Sequence, residues 1–282
     1  MNYKHIYHAG NFADVAKHIA LVYCLEALKR KDAAFFALDS HAGRGSYDLH
    51  AAEAKKSGEA ERGIQRLIQT QPRANSLAPY LAAIGARPGK RLARYPGSCA
   101  LIARSLRPQD RATFTELVAS EARAAQRALG SDGRIRMEVG DGYAALRSHL
   151  PPVERRGLVL IDPPYESAEE LTSLVESFSE AYRRWPTGIY LMWYPILSAT
   201  QRAGLHARFQ ALRVPKMLYA DLAVHPDDAG VGLAGSGLLI VNPPYGADQH
   251  LTLAYAAVRE AIAPPGSGYV DVARLTPERM AQ

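Results

Sequence analysis

Cysteine is nearly absent from this 282-residue sequence: Cys24 and Cys99 are the only two. That excludes a disulfide framework and a cysteine-rich zinc site, and it suits a reducing, cytoplasmic compartment. No run approaches the roughly 18 apolar residues of a membrane span. Met1 to Gly10 is polar and rich in His and Tyr, without an apolar stretch behind a basic flank, so no signal peptide is expected there. Repeats and low-complexity tracts are missing too. The histidines near the start, His5, His8 and His18, lack a set of Cys or acidic partners at metal-ligand spacing. His5 and His8 therefore read as solvated polar residues.

What is present is an ordinary globular composition, 48% hydrophobic and 22% charged, with a net charge of +6. The charge is unevenly placed. Between Ala51 and Gly97 lie Lys55, Lys56, Arg62, Arg66, Arg73, Arg87, Lys90, Arg91 and Arg94, against only Glu53, Glu59 and Glu61. This segment carries the whole excess, and the rest of the chain balances. Clustered basic charge attracts phosphate and releases its counterions, which points to a polyanionic partner.

Along Phe12 to Lys31, Val15, Ile19, Val22, Leu25 and Leu28 recur at steps of three and four, predicting an amphipathic helix. Asn11 is placed to cap it, and Lys29, Arg30 and Lys31 lie where the helix dipole favours cations. Ala33 to Leu38 reads as a buried strand running into a glycine-containing turn, Asp39 to Gly45. A helix should follow at once in a doubly wound fold. The basic, Ala- and Pro-punctuated stretch follows instead, with helical patterns at Ile64, Leu67 and Ile68 and at Leu77, Tyr80, Leu81 and Ile84. Residues 47–95 therefore read as an inserted helical subdomain, with residues 1–46 and 96–282 forming one main domain.

Beyond a helix at Ser98 to Leu106, strand-like runs alternate with helical stretches. They lie at Ala112 to Val118, Ile135 to Val139, Leu158 to Ile161 and Ile189 to Tyr194. The pattern predicts an α/β, Rossmann-like fold around a mostly parallel sheet. Met217 to Val224 and Gly237 to Val241, joined by a Gly/Asp-rich loop, predict a closing antiparallel hairpin with room for one more helix after it.

Asp162-Pro163-Pro164-Tyr165 follows the buried strand Leu158 to Ile161, at the strand end where open α/β sheets place ligands. A purine amino group is a poor nucleophile because its lone pair is delocalised into the ring. A carboxylate and a backbone carbonyl that accept its two N–H bonds would draw the lone pair out of plane, toward an electrophilic methyl group. Pro163 stiffens the turn and donates no hydrogen bond, and Tyr165 offers a face for an extruded base. The structural alternative is a Pro-Pro turn whose Asp caps the next helix. A second run, Asn242-Pro243-Pro244-Tyr245, looks much the same. If its strand is antiparallel, however, it ends at the opposite edge of the sheet, and Asn242 is structural.

Asp39, Gly43 and Gly45 form a D-x-x-x-G-x-G turn that lets backbone approach a ligand. The third glycine of a dinucleotide fingerprint is missing, which weakens a nicotinamide dehydrogenase. Glu116, ending the next strand, could accept the hydroxyls of a ribose, and Asp141-Gly142, ending the third, could hold an adenine amino group. A surface acid is the plain alternative for either. Cys99, between Ser98 and Ala100, lacks the exposed strand-end setting that cytosine C5 chemistry through a thiolate adduct needs.

Several local runs together resemble the RlmJ family, bacterial 23S ribosomal RNA adenine-N6 methyltransferases. They are His8-Ala9-Gly10-Asn11, Lys17-His18, Leu38-Asp39, His41-Ala42-Gly43, Tyr95-Pro96-Gly97-Ser98, Thr115-Glu116-Leu117, Arg155-Arg156-Gly157 and Ile161 to Glu166. The resemblance spans nearly the whole chain. It implies S-adenosylmethionine contacts at His18, His41, Ser98, Glu116, Asp141, Gly142 and Asp162. It makes Asp162, with Pro163 and Tyr165, the catalytic motif, and Tyr3 a substrate contact. It further implies 23S ribosomal RNA as the partner of a chain that works alone as a monomer. Arg44-Gly45-Ser46, Val118 and Tyr245 of the final Pro-Pro-Tyr run depart from the family's pattern. Two other classes stay open: a DNA adenine or protein glutamine methyltransferase, since D/N-P-P-Y suits planar amides and amines alike, and a catalytically silent RNA-binding protein.

Overall fold

Eight strands of the computed structural model form one sheet, and its topology sets where a ligand can enter. Residues 4–72, 74–167, 169–227, 230 and 232–279 are described. In chain order the strands of this sheet are β1 (Phe36–Asp39), β4 (Arg111–Glu116), β5 (Ile135–Val139), β6 (Gly157–Ile161), β7 (Ile189–Ile196), β8 (Met217–Ala223), β9 (Gly235–Val241) and β10 (Tyr269–Arg274). A separate ribbon supplies β2 (Ser46–Asp48) and β3 (Arg94–Pro96). Across the sheet the order is β10-β8-β9-β7-β6-β1-β4-β5. From β5 to β7 every pairing is parallel, whereas β9 runs antiparallel to both β7 and β8. β1 therefore has β4 on one side and β6 on the other, and the chain's direction of travel reverses around it. A crevice opens outside the carboxyl ends of the strands at such a switch point.

The strand β10, antiparallel to β8, departs from the sequence pattern. That pattern leaves no room for another element behind the helix α10 (Ala247–Ile262), yet Tyr269–Arg274 adds an edge strand. Every residue of this strand except the exposed Arg274 is half-buried, so it shows none of the apolar alternation that identifies a strand packed on a core.

Helices cover both faces. One core joins α1 (Phe12–Lys29), α5 (Ser98–Ser105) and α10 to the sheet. The other joins α7 (Gly142–His149), α8 (Glu170–Arg184) and α9 (Ala199–Ala211). β6 shows how strand geometry serves both: Leu158 and Leu160 enter the first core, Val159 and Ile161 the second. All four are fully buried, as expected of a central parallel strand. Burying each contributes on the order of 1.5–3 kcal/mol.

Residues 47–95 hold the short helices α2 (Ala52–Ser57), α3 (Arg66–Thr70) and α4 (Ala78–Ala83), pinched at their base by the antiparallel β2–β3 ribbon. Their apolar side chains do not form a core of their own. Ile64, Leu67 and Tyr80 are buried in the same cluster as Val15 and Ile19 of α1. The approach is close: Ile64 N–H donates to the Gly10 carbonyl at 2.8 Å, and a Cβ on Gly63 would lie 2.3 Å from that oxygen. Part of the segment's positive charge is used internally. Arg66 donates to the Ala261 carbonyl, Arg62 to the Ser57 carbonyl, and Arg91 pairs with Glu61.

Candidate active site

Asn11 caps α1 by accepting the Asp14 N–H at 2.9 Å. The helix then presents Asp14, Lys17 and His18 on one face, because residues three and four apart share a helical stripe. All three are buried, which polar groups tolerate only when paired. Lys17 Nζ bridges Asp14 Oδ1 at 2.9 Å and Asp162 Oδ2 at 2.5 Å. Burial pulls the Lys17 pKa down, but Asp14 and Asp162 outweigh it and raise it above the ordinary lysine value. Burial likewise pushes Asp14 up, and His5 and Lys17 overcome it to hold Asp14 well below the carboxylate range.

Asp162 stands at the tip of β6, with its side chain 15% exposed. Pro163 behind it is buried, and its carbonyl accepts no hydrogen bond among the described residues. Tyr165 adopts φ 51°, a left-handed conformation uncommon for a bulky side chain. Such strain persists only where the surroundings hold it. Its hydroxyl donates to the Trp193 carbonyl at 2.7 Å, and its ring meets Trp193 edge-on at 5.6 Å.

A cavity of about 750 Å³ opens in front of these residues. It brings together His18, His41, Ser98, Glu116, Asp141, Gly142, Asp162 and Pro163 from separate elements. Tyr165 is not among the residues lining it; the aromatic side chain of β7 that lines the cavity is Trp193. Tyr3 lies outside the described residues. Asn242 is elsewhere, following β9 at the amino-terminal end of β7, and its amide donates to the Pro186 and Gly188 carbonyls at 2.8 Å each. Cys99 is fully buried, and burial pushes its thiol well above the usual range, which removes it as a nucleophile.

The expectation that His5 and His8 are solvated is corrected by the structure. His5 Nε2 lies 3.0 Å from Asp14 Oδ2, and His8 Nδ1 lies 3.0 Å from Glu59 Oε1, in the inserted segment. The hydrogen bond to Glu59 raises the His8 pKa. Burial lowers His18 to about 3 and His41 to about 4, so both are neutral hydrogen-bonding rings. His18 Nδ1 pairs with the Tyr95 hydroxyl at 2.9 Å and His41 Nδ1 with the Ser40 hydroxyl at 2.8 Å.

Glu116 Oε2 accepts the Gly43 N–H and Oε1 the Val118 N–H, which fixes the carboxylate at the end of β4. Leu117 beside it is 57% exposed. Asp141 caps α7 by accepting the Tyr143 N–H and remains exposed. Gly142 packs so closely that a Cβ would sit 2.1 Å from the Ser40 carbonyl. Two carboxylates at neighbouring strand ends and the exposed Leu117 thus line one cavity. Histidines aside, the described residues of the lining carry seven carboxylates against three cations, Lys4, Lys17 and Arg44. An acid-rich pocket in a basic chain suits a cationic ligand and repels a pyrophosphate.

Asp39 ends β1 fully buried, accepting the Ser98 hydroxyl at 2.6 Å. Burial raises its pKa to about 7. A carboxyl raised in the folded state favours folding when protonated, so its contribution is complete below about 3.8 and lost as pH rises through about 7. The stability of Asp39→Asn relative to the wild type is therefore expected to improve across that window, by a few kcal/mol in all, and to level off above it. Denaturant unfolding at several pH values measures this, and a pH-independent difference would contradict it.

Comparison with known proteins follows the same outline. A family model described as "Ribosomal RNA large subunit methyltransferase D, RlmJ" matches residues 32–275. The Escherichia coli protein "Ribosomal RNA large subunit methyltransferase J" is 37% identical over 280 residues, covering 99% of this chain and all of that protein. The Haemophilus influenzae protein of the same description is 38% identical over the same length and coverage. A Legionella pneumophila protein of known crystal structure superposes with a TM-score of 0.87 at 32% identity, covering 95% of this chain and 98% of that one. With its sheet order, strand-end carboxylates and full-length similarity in agreement, the chain belongs to the RlmJ family.

Proposed function

We propose that this protein transfers a methyl group from S-adenosylmethionine to the N6 amino group of an adenine in 23S ribosomal RNA. One observation carries the reading: Asp162 and the uncommitted Pro163 carbonyl stand together at a strand tip, on the wall of an acid-rich pocket. The names of the full-length relatives support ribosomal RNA as the substrate.

The cofactor, when bound, supplies an electrophilic methyl group. Glu116 and Asp141 would hold its ribose and adenine, with Leu117 against the ring, and the acidic lining favours its positive charge. Lys17 engages Asp162 Oδ2, so Oδ1 is left to accept one N–H of the target amine. The Pro163 carbonyl accepts the other. With both N–H bonds directed at protein acceptors, the nitrogen lone pair turns out of the ring plane and the amine becomes nucleophilic. Trp193, buttressed by Tyr165, offers the aromatic face for the unstacked base.

Incubation with methyl-labelled cofactor and, separately, 23S ribosomal RNA, DNA and a release factor tests the reading. Label is expected in RNA alone, recovered after digestion as N6-methyladenosine. Label only in DNA or protein overturns it. RNA binding without transfer leaves the silent RNA-binding protein as the answer.

A further inference from the structure

Behind the Arg44–Ser46 loop lies a second cavity, an open groove of about 700 Å³ between α5 and α6 (Ala119–Leu129). Its floor is of small side chains, Ala100 and Ala103 on one helix and Ala124 and Ala128 on the other. Four arginines from four parts of the fold border it: Arg44 from the loop, Arg94 from β3, Arg104 from α5 and Arg127 from α6. The one acid among its described lining residues, Asp132, is held in a two-pronged pair by Arg134. Arg94 and Arg127 are exposed and take part in no ion pair among the described residues. Arg44 lines both cavities, and Glu121, on the side of the main pocket, holds it at 2.6 Å.

The two cavities thus adjoin and differ in sign. The main pocket has an excess of carboxylates and repels a polynucleotide backbone, while its neighbour has an excess of guanidinium groups, which match phosphate oxygens in geometry. Among the described residues no aromatic side chain lines the groove, so they offer no stacking platform for a base. Its chemistry is that of a phosphate track, which fixes register without reading sequence. Three of the four arginines lie outside the basic segment that dominates the charge pattern.

We propose that this groove seats the sugar–phosphate backbone of the RNA that flanks the target nucleotide, with Arg44 at the junction with the active site. The inference rests on the RNA reading above. It is tested in the full-length protein with Arg94→Ala/Arg127→Ala, the charge-retaining Arg94→Lys/Arg127→Lys, and a control, Arg183→Ala/Arg259→Ala, that removes two exposed arginines elsewhere. For the first pair KM for a 23S fragment is expected to rise roughly tenfold, with kcat and cofactor affinity unchanged. The slope of log KM against log salt should fall by about 1.5, since each phosphate released from a cation lowers it by roughly 0.7–0.9. The lysine pair, which keeps the charge but not the fork, should keep the wild-type salt slope with a KM raised less than in the alanine pair, and the control should stay near wild type. An unchanged KM and slope in a wild-type-like RNA methyltransferase overturns the groove alone, as does an equal loss in the control. Failure of the wild type to methylate RNA overturns the reading on which the groove rests.

Discussion

Asp162→Asn is expected to lower kcat on RNA by two to three orders of magnitude, the usual loss when one preorganised polar partner of a transition state is removed. The substitution preserves shape and reverses hydrogen-bonding sense. Lys17 Nζ, 2.5 Å from Oδ2, has only donors to offer. In the variant the amide must therefore turn its oxygen to Lys17, which leaves its NH2 facing the target amine, donor against donor. The amine then loses the acceptor that draws its lone pair out of the ring. Lys17 keeps its bond to Asp14 at 2.9 Å, so the fold is not at stake. Cofactor affinity should stay within about threefold, because Glu116, Asp141 and Leu117 are untouched. Single-turnover kinetics beside calorimetric cofactor binding separates the two quantities. Turnover within tenfold of wild type would move the chemistry to another residue.

The position of Asp162 at a strand tip on the cavity wall was legible because its signal is local: four residues in a row immediately after a buried apolar strand. That Glu116 and Asp141 line the same cavity was legible for a related reason, since each ends a strand in a regular α/β alternation. Lys17 gave no such sign. A lysine among the apolar positions of a helix reads as a solvated side chain, and its partner Asp162 lies 145 residues away. The same holds for His8 and Glu59, 51 residues apart. Trp193 sits inside an apolar run, Ile189 to Tyr194, where only the topology tells that it faces the cavity. The sequence named Tyr165 as the stacking face because it stands in the motif. In the structure its hydroxyl donates to the Trp193 carbonyl, and it is not among the residues lining the cavity. Patterns along the chain report strand ends well; they do not report which side chains meet across the crevice.

The dependence of the site on long-range pairing leads to the second large effect, that of Lys17→Met. Methionine fills much of the lysine volume and removes the charge, leaving Asp14, 2% exposed, and Asp162 without their shared cation. Asp14 Oδ2 would still accept the Gly10 N–H and His5, but Oδ1 would be stripped of its ion-pair partner. Removing one member of a buried ion pair costs about 3–5 kcal/mol, because the charge left behind stays desolvated. For a chain of this length that corresponds to a fall in Tm on the order of 10 °C. The pH dependence follows from the directions of the two shifts. Asp14, lowered in the folded state, contributes stability that is present above its ordinary value of 3.8 and lost as pH falls through its folded value. Lys17, raised in the folded state, contributes stability that is complete below 10.5 and lost only in stronger alkali. The gap between wild type and variant should therefore be flat from about pH 5 to 9 and narrow in acid. Asp14→Asn added to Lys17→Met should recover part of the loss, since it removes the stranded charge. It should not recover kcat, because Asp162 would still lack the group that orients it. Denaturant unfolding across pH, paired with kcat on RNA, distinguishes the two roles. A variant as stable and as active as the wild type would mean that the bridge between α1 and β6 does neither.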